Sequence, residues 1–380
     1  MTGAATVTRT DADTRTGRRS IELDVVRAVA LIGVCVMNYH GYLNARSAAG
    51  DESFMGALFD PWHGPLATRF AATFVTVAGM GVVLMTRRAV EAGDRAAIAE
   101  ARWRLVRRGV LLLGVGYVFD WIWPGTILFF YGGFFLVSSL LFALRTRWIV
   151  TVGVVSAVAG AALSWWSTRH GLAWLLRGSS TATRSPRDLV FDLAVRGTHP
   201  LLPWLALLCT GMVLARHLPE RADRRVFVAF AGVLAVLVGY GLRSVLPLSP
   251  TLVSTEPGTR GLLYTLTAIG SSVAAVIAIG AAARATAGST VTRALAVAGR
   301  CTLSLYVLHA LVFRVVVDTV GWVHYDSGLT TVLLMAADYW LAAVLLSAWW
   351  SRVAAIGPLE WLYRRFSDPA PPRLWSQPAE

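Results

Sequence analysis

The residues best suited to chemistry in this sequence are histidines at the ends of apolar segments. His40 stands near the end of one such segment, two residues after Asn38, and His63 follows in the next connection, three residues after Asp60. An imidazole is a common general base near pH 7, and a nearby carboxylate fixes its tautomer and raises its basicity. The spacing predicts an Asp/His/His group, although a histidine at the end of a membrane span also fits a plain interfacial position.

Two further histidines lie at the start of one apolar segment and inside another. His199 begins a segment that contains Trp204, and His309 lies deep in a later one, while Asp338 lies nine residues into the last. If the last two segments form a helical hairpin, His309 and Asp338 reach a similar depth, which predicts a buried His–Asp pair. Such a pair would be structural or would orient a catalytic or substrate group. His199 would be a site residue or an ordinary loop histidine.

Arginines are dense in the connection between two apolar segments, where residues 87–108 contain seven of them. Guanidinium groups bind phosphates well, so this group predicts an anionic ligand such as a nucleotide phosphate, with anionic lipid headgroups as the alternative. The sequence has no phosphate-binding glycine-rich motif and no GxSxG motif, which disfavours ATP-driven transport and ordinary hydrolase chemistry. The candidate phosphate-binding residues are Arg87, Arg88, Arg104, Arg107 and Arg108.

Composition defines the elements that must position these residues. The chain has 380 residues, of which 56% are hydrophobic and 15% charged, and this is too apolar for a water-soluble fold. A helix that crosses the bilayer uses roughly 20 residues and satisfies its own backbone hydrogen bonds, so we predict an all-α polytopic membrane helical bundle with about ten transmembrane helices. The apolar segments are Val25–Leu43, Leu66–Met85, Leu105–Trp121, Ile127–Leu144, Trp148–Trp166, Leu201–Ala215, Val226–Leu246, Leu262–Ala283, Ala294–Val317 and Leu329–Trp350.

The basic charge predicts how the bundle is oriented. The net charge is +13, and all 35 basic residues are arginines. They flank the apolar segments and form no separate basic domain, which favours membrane topology over nucleic-acid binding. When alternate connections are assigned to alternate sides, 24 arginines fall on one side and eight on the other, so both termini are predicted to be cytoplasmic. Cys35, Cys209 and Cys301 are far apart, and we predict neither a disulfide nor a metal site.

The two ends of the chain differ from the rest in composition. Residues 1–20 are polar, and residues 368–380 contain four prolines. Both read as disordered cytoplasmic tails. Residues 21–367 are predicted to form one transmembrane domain.

Four short motifs resemble those of transmembrane acyltransferases. The stretch from Leu23 to Val34, followed by Asn38, is similar to the opening LDxxRGxAlxGV…N pattern of the heparan-alpha-glucosaminide N-acetyltransferase-like and bacterial YeiB-like proteins, although Ala28 replaces the glycine. Residues 199–204 and 299–309 resemble later motifs, and residues 357–364 resemble the C-terminal signature of the YeiB-like group. The motifs occur in the expected order over nearly the whole chain, so residues 21–367 read as an acyltransferase-like domain.

The resemblance implies a plasma-membrane O- or N-acyltransferase. Such an enzyme would move an acyl group, such as acetyl, from cytosolic acyl-CoA to a carbohydrate or lipid-linked acceptor on the far side. Acyl-CoA would be a co-substrate, with no permanently bound cofactor. The protein would work in the lipid bilayer, as a monomer or a homodimer. The alternatives are a transporter or exporter of a small polar solute, which would use intramembrane His and Asp, and a non-catalytic membrane partner.

The acyl-transfer hypothesis gives roles to the candidate residues, of which Asp24, Arg27, Asn38 and His309 match the family motifs by position. His40 first and His63 second would act as general base or transient acyl carrier, Asn38 would stabilise the oxyanion, and His309 matches the late histidine of the family pattern. The five arginines would hold the CoA phosphates. The candidate substrate-binding residues are Asp24, Arg27, Asp60, His199, Trp204 and Asp338.

Overall fold

The structure is a computed structural model that describes residues 21–46, 53–172, 185–218 and 221–368. The two predicted tails, apart from Asp368, lie outside the described residues. Helices make up most of the described chain, and those residues include no β-strand. The predicted all-α class is therefore confirmed.

Fifteen α-helices follow one another in the described residues, two of them extended by a π-helical turn: Asp192–Arg196 after α7 and Arg314–Thr319 after α13. Their bounds are α1 Ile21–Asn44, α2 Phe54–Phe59, α3 Arg69–Ala92, α4 Arg95–Phe119, α5 Ile127–Leu141, α6 Thr146–Arg169, α7 Pro186–Phe191, α8 Leu201–His217, α9 Ala222–Val245, α10 Pro250–Val253, α11 Leu262–Ala285, α12 Thr290–Gly299, α13 Thr302–Phe313, α14 Leu329–Trp350 and α15 Pro358–Ser367.

Six helical segments in this part of the chain are long and apolar enough to cross a membrane, and a seventh arises if the bent pair of 186–196 and 201–217 counts as one span. The chain bends by 56° between the two halves of that pair. The six are Arg69–Ala92, Thr146–Arg169, Ala222–Val245, Leu262–Ala285, Thr302–Thr319 and Leu329–Trp350. A membrane helical bundle is thus supported, while the total of ten crossings and the sides of the termini stay predictions.

One predicted span is not a continuous helix. The segment Ala294–Val317 breaks between α12 and α13, because the backbone leaves the helical path at Cys301 (φ −111°, ψ 22°). Just before the break, Gly299 packs so closely on the backbone of Asp24 that a side chain there would collide. Glu360 caps the start of α13, because its carboxylate accepts hydrogen bonds from the otherwise unpaired backbone N–H groups of Leu303 and Ser304.

Helix α1 is the centre of the bundle and packs against α3, α11, α12, α13 and α14. Elsewhere α3 pairs with α8 through two close backbone approaches, Gly79 against Leu208 and Gly211 against Thr76. Small residues at such crossings allow helices to approach closely within lipid. Helix α9 is the opposite case, since most of its apolar side chains are exposed, as expected for a helix that faces lipid. The central position of α1 brings its polar C-terminal end into the middle of the site described next.

Candidate functional site

A cavity of about 1060 Å³ lies where the C-terminal end of α1 meets four connections of the chain. These connections run through residues 61–68, 120–125, 192–199 and 256–260, and all four lie on the side predicted to face outwards. Side chains from α3, α5 and α13 complete the walls. The polar and ionisable lining residues are Asn38, Tyr42, Arg46, His63, Thr68, Asp120, Asp192, Arg196, Thr198, His199, Glu256, Thr259, Arg260 and Tyr306.

His63 reaches the cavity with a carboxylate beside it. Its Nδ1 lies 3.4 Å from Oε2 of Glu256, and its side chain is 70% exposed. A carboxylate at this position favours the Nδ1–H tautomer, which leaves Nε2 free to accept a proton. The pair is therefore built like the base half of a catalytic triad, with an accessible imidazole held by an acid.

Asp60 and His40 do not form the predicted group with His63. Oδ1 of Asp60 accepts hydrogen bonds from the backbone N–H groups of Trp62 (2.7 Å) and His63 (2.9 Å), so this carboxylate shapes the loop. Asp60 thus positions the backbone of His63, while the imidazole of His63 pairs with Glu256.

His40 is buried and does not line the cavity. Its Nδ1 lies 2.8 Å from the carbonyl oxygen of Phe59, which can only accept, so Nδ1 carries the proton. Its Nε2 then accepts from Nδ2 of Asn44 at 3.1 Å. Both ring nitrogens are used inside the protein, and His40 connects α1 to the last residue of α2.

Asn38 lines the cavity and contacts His309, so the structure brings together two of the predicted catalytic residues. Nδ2 of Asn38 lies 3.1 Å from Nε2 of His309, and Nδ1 of His309 contacts the carbonyl oxygen of Tyr306. His309 is 1% exposed and surrounded by aromatic rings of Tyr39, Trp123 and Tyr306.

The hydroxyl of Tyr306 contacts the turn between α4 and α5. It lies 3.1 Å from Oγ1 of Thr126 and accepts a hydrogen bond from the backbone N–H of Ile127. Asp120 in turn accepts from the N–H groups of Gly125 (2.7 Å) and Thr126 (3.3 Å). Two sets of hydrogen bonds therefore meet at Tyr306: its hydroxyl contacts Thr126 of the Asp120 turn, and its backbone carbonyl contacts His309, which contacts Asn38.

His199, for which the sequence left a site residue and an ordinary loop histidine as alternatives, lines the cavity. Its Nδ1 lies 2.9 Å from Oγ1 of Thr198, and its ring packs edge-on against Trp204, with centroids 4.6 Å apart. Trp204 itself is buried and does not line the cavity. This tryptophan supports His199 and lies outside the lining.

Arg260 and Arg196 position the connections around His199. Arg260 donates to the carbonyl oxygens of Val195, Arg196 and Gly197, at the C-terminal end of the π-helical turn. Burial lowers the pKa of Arg260 to about 10, so this guanidinium stays charged at neutral pH. Arg196 pairs with Asp188 at 2.9 Å and with Asp192 at 3.0 Å. The arginines order the wall in which His199 lies.

The predicted His309–Asp338 pair is wrong. Asp338 is exposed on α14 and does not line the cavity, while the neighbouring residue Tyr339 faces His309, with ring centroids 6.5 Å apart. Each residue turns a helix by about 100°, so one position of offset carries the carboxylate out of the core. Similar depth along two helices was not sufficient, because the rotation of α14 decides which side chain faces inwards.

The predicted phosphate-binding arginines contact other parts of the chain. Arg108 and Arg104 lie 3.1 Å and 3.5 Å from Oδ1 of Asp368, and Arg107 donates to the backbone carbonyl of Ser367. Arg87 pairs with Glu91 on its own helix. Arg104, Arg107 and Arg108, together the arginine cluster, thus hold the end of α15 next to α4. At the start of α1, Asp24 and Arg27 of the opening motif pair with each other at 3.0 Å, away from the cavity lining.

Sequence reasoning missed Glu256, Arg260, Asp120 and Tyr306. Glu256 is separated from His63 by 193 residues, so no local spacing could connect them. The only signal for Arg260 was its place in a short Pro-Gly connection, Glu256-Pro257-Gly258. In the described residues no three His, Cys, Asp or Glu side chains are grouped as metal ligands. Cys35, Cys209 and Cys301 all lie within the described residues, where they are buried and form no disulfide.

The helices and the cavity define a polytopic membrane protein with a polar pocket at one end of its bundle. Residues 19–247 match the catalytic family of heparan-alpha-glucosaminide N-acetyltransferase, and the chain belongs to this family. Residues 213–368 match a family of proteins of unknown function named DUF418, which corresponds to the YeiB-like group. The resemblance seen in the motifs is thus confirmed over both halves of the chain. No curated protein matches the sequence.

Proposed function

We propose that this protein transfers an acyl group from acyl-CoA to a hydroxyl or amine of an acceptor bound in the cavity, with His63 as general base. The observation that carries the proposal is the contact between His63 and Glu256 inside a cavity that also contains the Asn38 amide. The membership in an acetyltransferase family supports the same reaction class, with acetyl as the acyl group. Of the two predicted bases, the arrangement favours His63, because both ring nitrogens of His40 are occupied.

The reaction needs one proton to move twice. The acceptor hydroxyl or amine gives its proton to Nε2 of His63 while its oxygen or nitrogen bonds to the carbonyl carbon of the thioester. Glu256 stabilises the imidazolium that forms. The tetrahedral intermediate then expels CoA by cleavage of the carbon–sulfur bond, and the imidazolium returns the proton to the sulfur. The products are the acylated acceptor and CoA thiol, and His63 is regenerated.

Asn38 is the proposed donor to the oxyanion. It carries two N–H groups on Nδ2, of which one is directed at His309 and the other remains for a ligand. A fixed donor beside the developing negative charge is worth about 100-fold or more in rate. His199 and Arg46 line the same cavity and are proposed to bind the acceptor.

Helix α4 connects the proposed donor site to the cavity. Arg104, Arg107 and Arg108 lie around the middle of α4, and Asp120 directly follows its last residue. At 1.5 Å per residue, Arg108 and Asp120 are about 18 Å apart along the helix. We propose that the CoA phosphates bind Arg104, Arg107 and Arg108 in place of Asp368, and that the acyl arm extends along α4.

The proposal also includes the topology: the protein lies in the plasma membrane, crosses it ten times and has both termini in the cytoplasm. It is supported by the location of every cavity-lining connection on the predicted outer side. Exposed tryptophans also lie near both ends of the helices, such as Trp103 and Trp349 at one end and Trp121 and Trp322 at the other. Tryptophan favours the two membrane interfaces. The acceptor is then a carbohydrate or a lipid-linked carbohydrate reached from outside.

The test uses the full-length protein in proteoliposomes with radiolabelled acetyl-CoA and glucosamine as a probe acceptor. We expect release of CoA thiol and label on the sugar, with kcat reduced about 100-fold or more in His63→Ala. His324→Ala is the matched control, because His324 is exposed and outside the cavity lining. Full activity of His63→Ala would reject the assigned base. If no sugar acceptor in a panel gives CoA release, and the proteoliposomes take up a solute, acyl transfer is rejected and a transporter is favoured.

A further inference from the structure

His309 is shielded from any ligand in the cavity. It is 1% exposed, is not among the lining residues, and its ring packs against those of Trp123 and Tyr306, whose centroids are 5.3 Å and 4.9 Å away. Tyr39 donates to the backbone carbonyl of His309, and its ring stacks on the imidazole with centroids 5.9 Å apart. A side chain in this position is not able to exchange a proton with a bound substrate.

The hydrogen-bond partners of His309 define its tautomer. The carbonyl oxygen of Tyr306 can only accept, so the nitrogen that contacts it, Nδ1, carries the proton. The other nitrogen, Nε2, therefore has a free lone pair and accepts the Nδ2 proton of Asn38 at 3.1 Å. A neutral imidazole with one defined donor and one defined acceptor connects the backbone of α13 to a side chain of α1.

The consequence falls on Asn38, which is half-buried and does line the cavity. An isolated asparagine amide can rotate and exchange its oxygen and nitrogen positions. With Nδ2 held by Nε2 of His309, the amide has one orientation, and its second N–H and its oxygen are left for a ligand. The backbone side of the contact is also fixed, because the Tyr306 hydroxyl is bound by Thr126 and Ile127.

We propose that His309 is a positioning residue that fixes the amide of Asn38 for the acyl carbonyl, and that it takes no part in proton transfer itself. This inference rests on the proposed acyl transfer. It predicts that loss of the Nε2 acceptor lowers kcat and leaves the KM values for acyl-CoA and acceptor within about twofold, because a misoriented amide affects the transition state more than substrate binding.

Two conservative variants separate this role from a structural one. Glutamine places an acceptor near the position of Nε2, whereas asparagine places a donor near that of Nδ1. If His309 acts through Asn38, His309→Gln keeps most of the activity and His309→Asn loses about 100-fold in kcat, as does Asn38→Ala. If His309 serves only to hold the Tyr306 carbonyl, the order of the two variants is reversed, and the proposal is wrong.

The decisive measurement is a double-mutant cycle in proteoliposomes. The Asn38→Ala/His309→Asn double variant should be no slower than Asn38→Ala alone, since the histidine then has nothing to position. Losses that multiply would overturn the inference while acyl transfer itself stands. His324→Asn is the matched control, and the melting temperature of each variant excludes general loss of folding.

A second readout is independent of activity. In the full-length protein labelled with ¹⁵N-histidine, the His309 resonances are identified by their absence in His309→Gln. The ring should show an Nδ1–H tautomer, and its Nε2 resonance should move in Asn38→Ala. An unchanged Nε2 resonance would reject the contact even if the enzyme were found inactive. Absence of acyl transfer in the wild-type protein, with the expected resonance shift, would reject only the proposed function.

Discussion

His40, His63 and His309 have the same side chain and three different environments. His40 has both nitrogens bound within the protein, His309 is enclosed by aromatic rings, and His63 has an open Nε2 beside a carboxylate. A general base needs an accessible lone pair within hydrogen-bond reach of the acceptor, so only the third environment suits that role. Burial of a histidine is thus a poor guide to catalysis here, and the identity of its partners is the better one.

At the residue scale we predict the effect of removing the carboxylate next to His63. Glu256→Gln should lower kcat about tenfold or more, because the neutral amide no longer stabilises the imidazolium. The KM for acyl-CoA should change little. The measurement is steady-state CoA release, with Glu91→Gln as the control, since Glu91 pairs with Arg87 on the predicted inner side. Equal rates for Glu256→Gln and the wild type would show that His63 works without Glu256.

At the scale of elements, the break between α12 and α13 is held by a residue far along the chain. Glu360 near the start of α15 accepts from two N–H groups at the beginning of α13 and from the hydroxyl of Ser304. The motif at residues 357–364, first noted as a family signature, is thus a capping device for another helix. Its other end is held by the arginines of α4 through Ser367 and Asp368. Helix α15 therefore fastens α13 to α4 on the predicted inner side.

Removal of this cap should destabilise the protein. We expect Glu360→Ala to cost about 1–2 kcal/mol, because two helix N–H groups and a serine hydroxyl lose their acceptor. The check is the melting temperature in detergent by intrinsic tryptophan fluorescence, with Glu91→Ala as the control. A melting temperature equal to that of the wild type would contradict the capping role.

The same carboxylate predicts a pH dependence. Burial raises the pKa of Glu360, and this outweighs the lowering by its hydrogen bonds. A carboxyl group with a raised pKa in the folded state binds its proton more tightly there than in the unfolded chain. Its contribution to stability is therefore present below the ordinary pKa of about 4.3 and is lost as the pH rises through the higher, folded value. As the pH rises through this range, we expect the wild type to lose stability relative to Glu360→Gln, so that the difference between their melting temperatures shifts in favour of the variant. A constant difference would contradict the raised pKa.

At the scale of the whole molecule, polar groups are divided between the two ends of the bundle. The cavity and its histidines lie at the predicted outer end, and the arginine cluster with α15 lies at the other. An acyl donor with anionic phosphates at one end and a reactive thioester at the other suits such a division. The ninth predicted span is the first crossing to test, because the structure divides it into α12 and α13.

The topology can be tested by labelling single introduced cysteines on intact cells with a membrane-impermeant maleimide. Gly288 and Gly328 flank the ninth span, and each has free space around it, so a cysteine fits at both. We expect Gly328→Cys to be labelled and Gly288→Cys to be labelled only after permeabilisation. The native cysteines are buried and give little background. Labelling of both positions from outside would show that α12 and α13 do not cross the bilayer.

The sequence by itself determined the helical class, the membrane environment, and three of the cavity residues, Asn38, His63 and His199. These follow from local pattern, because apolar runs of about 20 residues specify membrane helices and polar side chains at their ends must lie near the interface. Tertiary structure decided the partners. Glu256 contacts His63 across 193 residues, and Asn38 contacts His309 across 271.

Asp338 shows why the remaining site could not be read from the chain. Residue counting predicts its depth, but its direction depends on how α14 is rotated against α1 and α12. A rotation of one residue, about 100°, exchanges Asp338 for Tyr339 at the core. That rotation is set by the packing of large side chains such as Tyr339 and Trp340, which are both buried. Helix length and polarity are encoded locally, whereas the face that each helix turns to its neighbours is a property of the packed bundle.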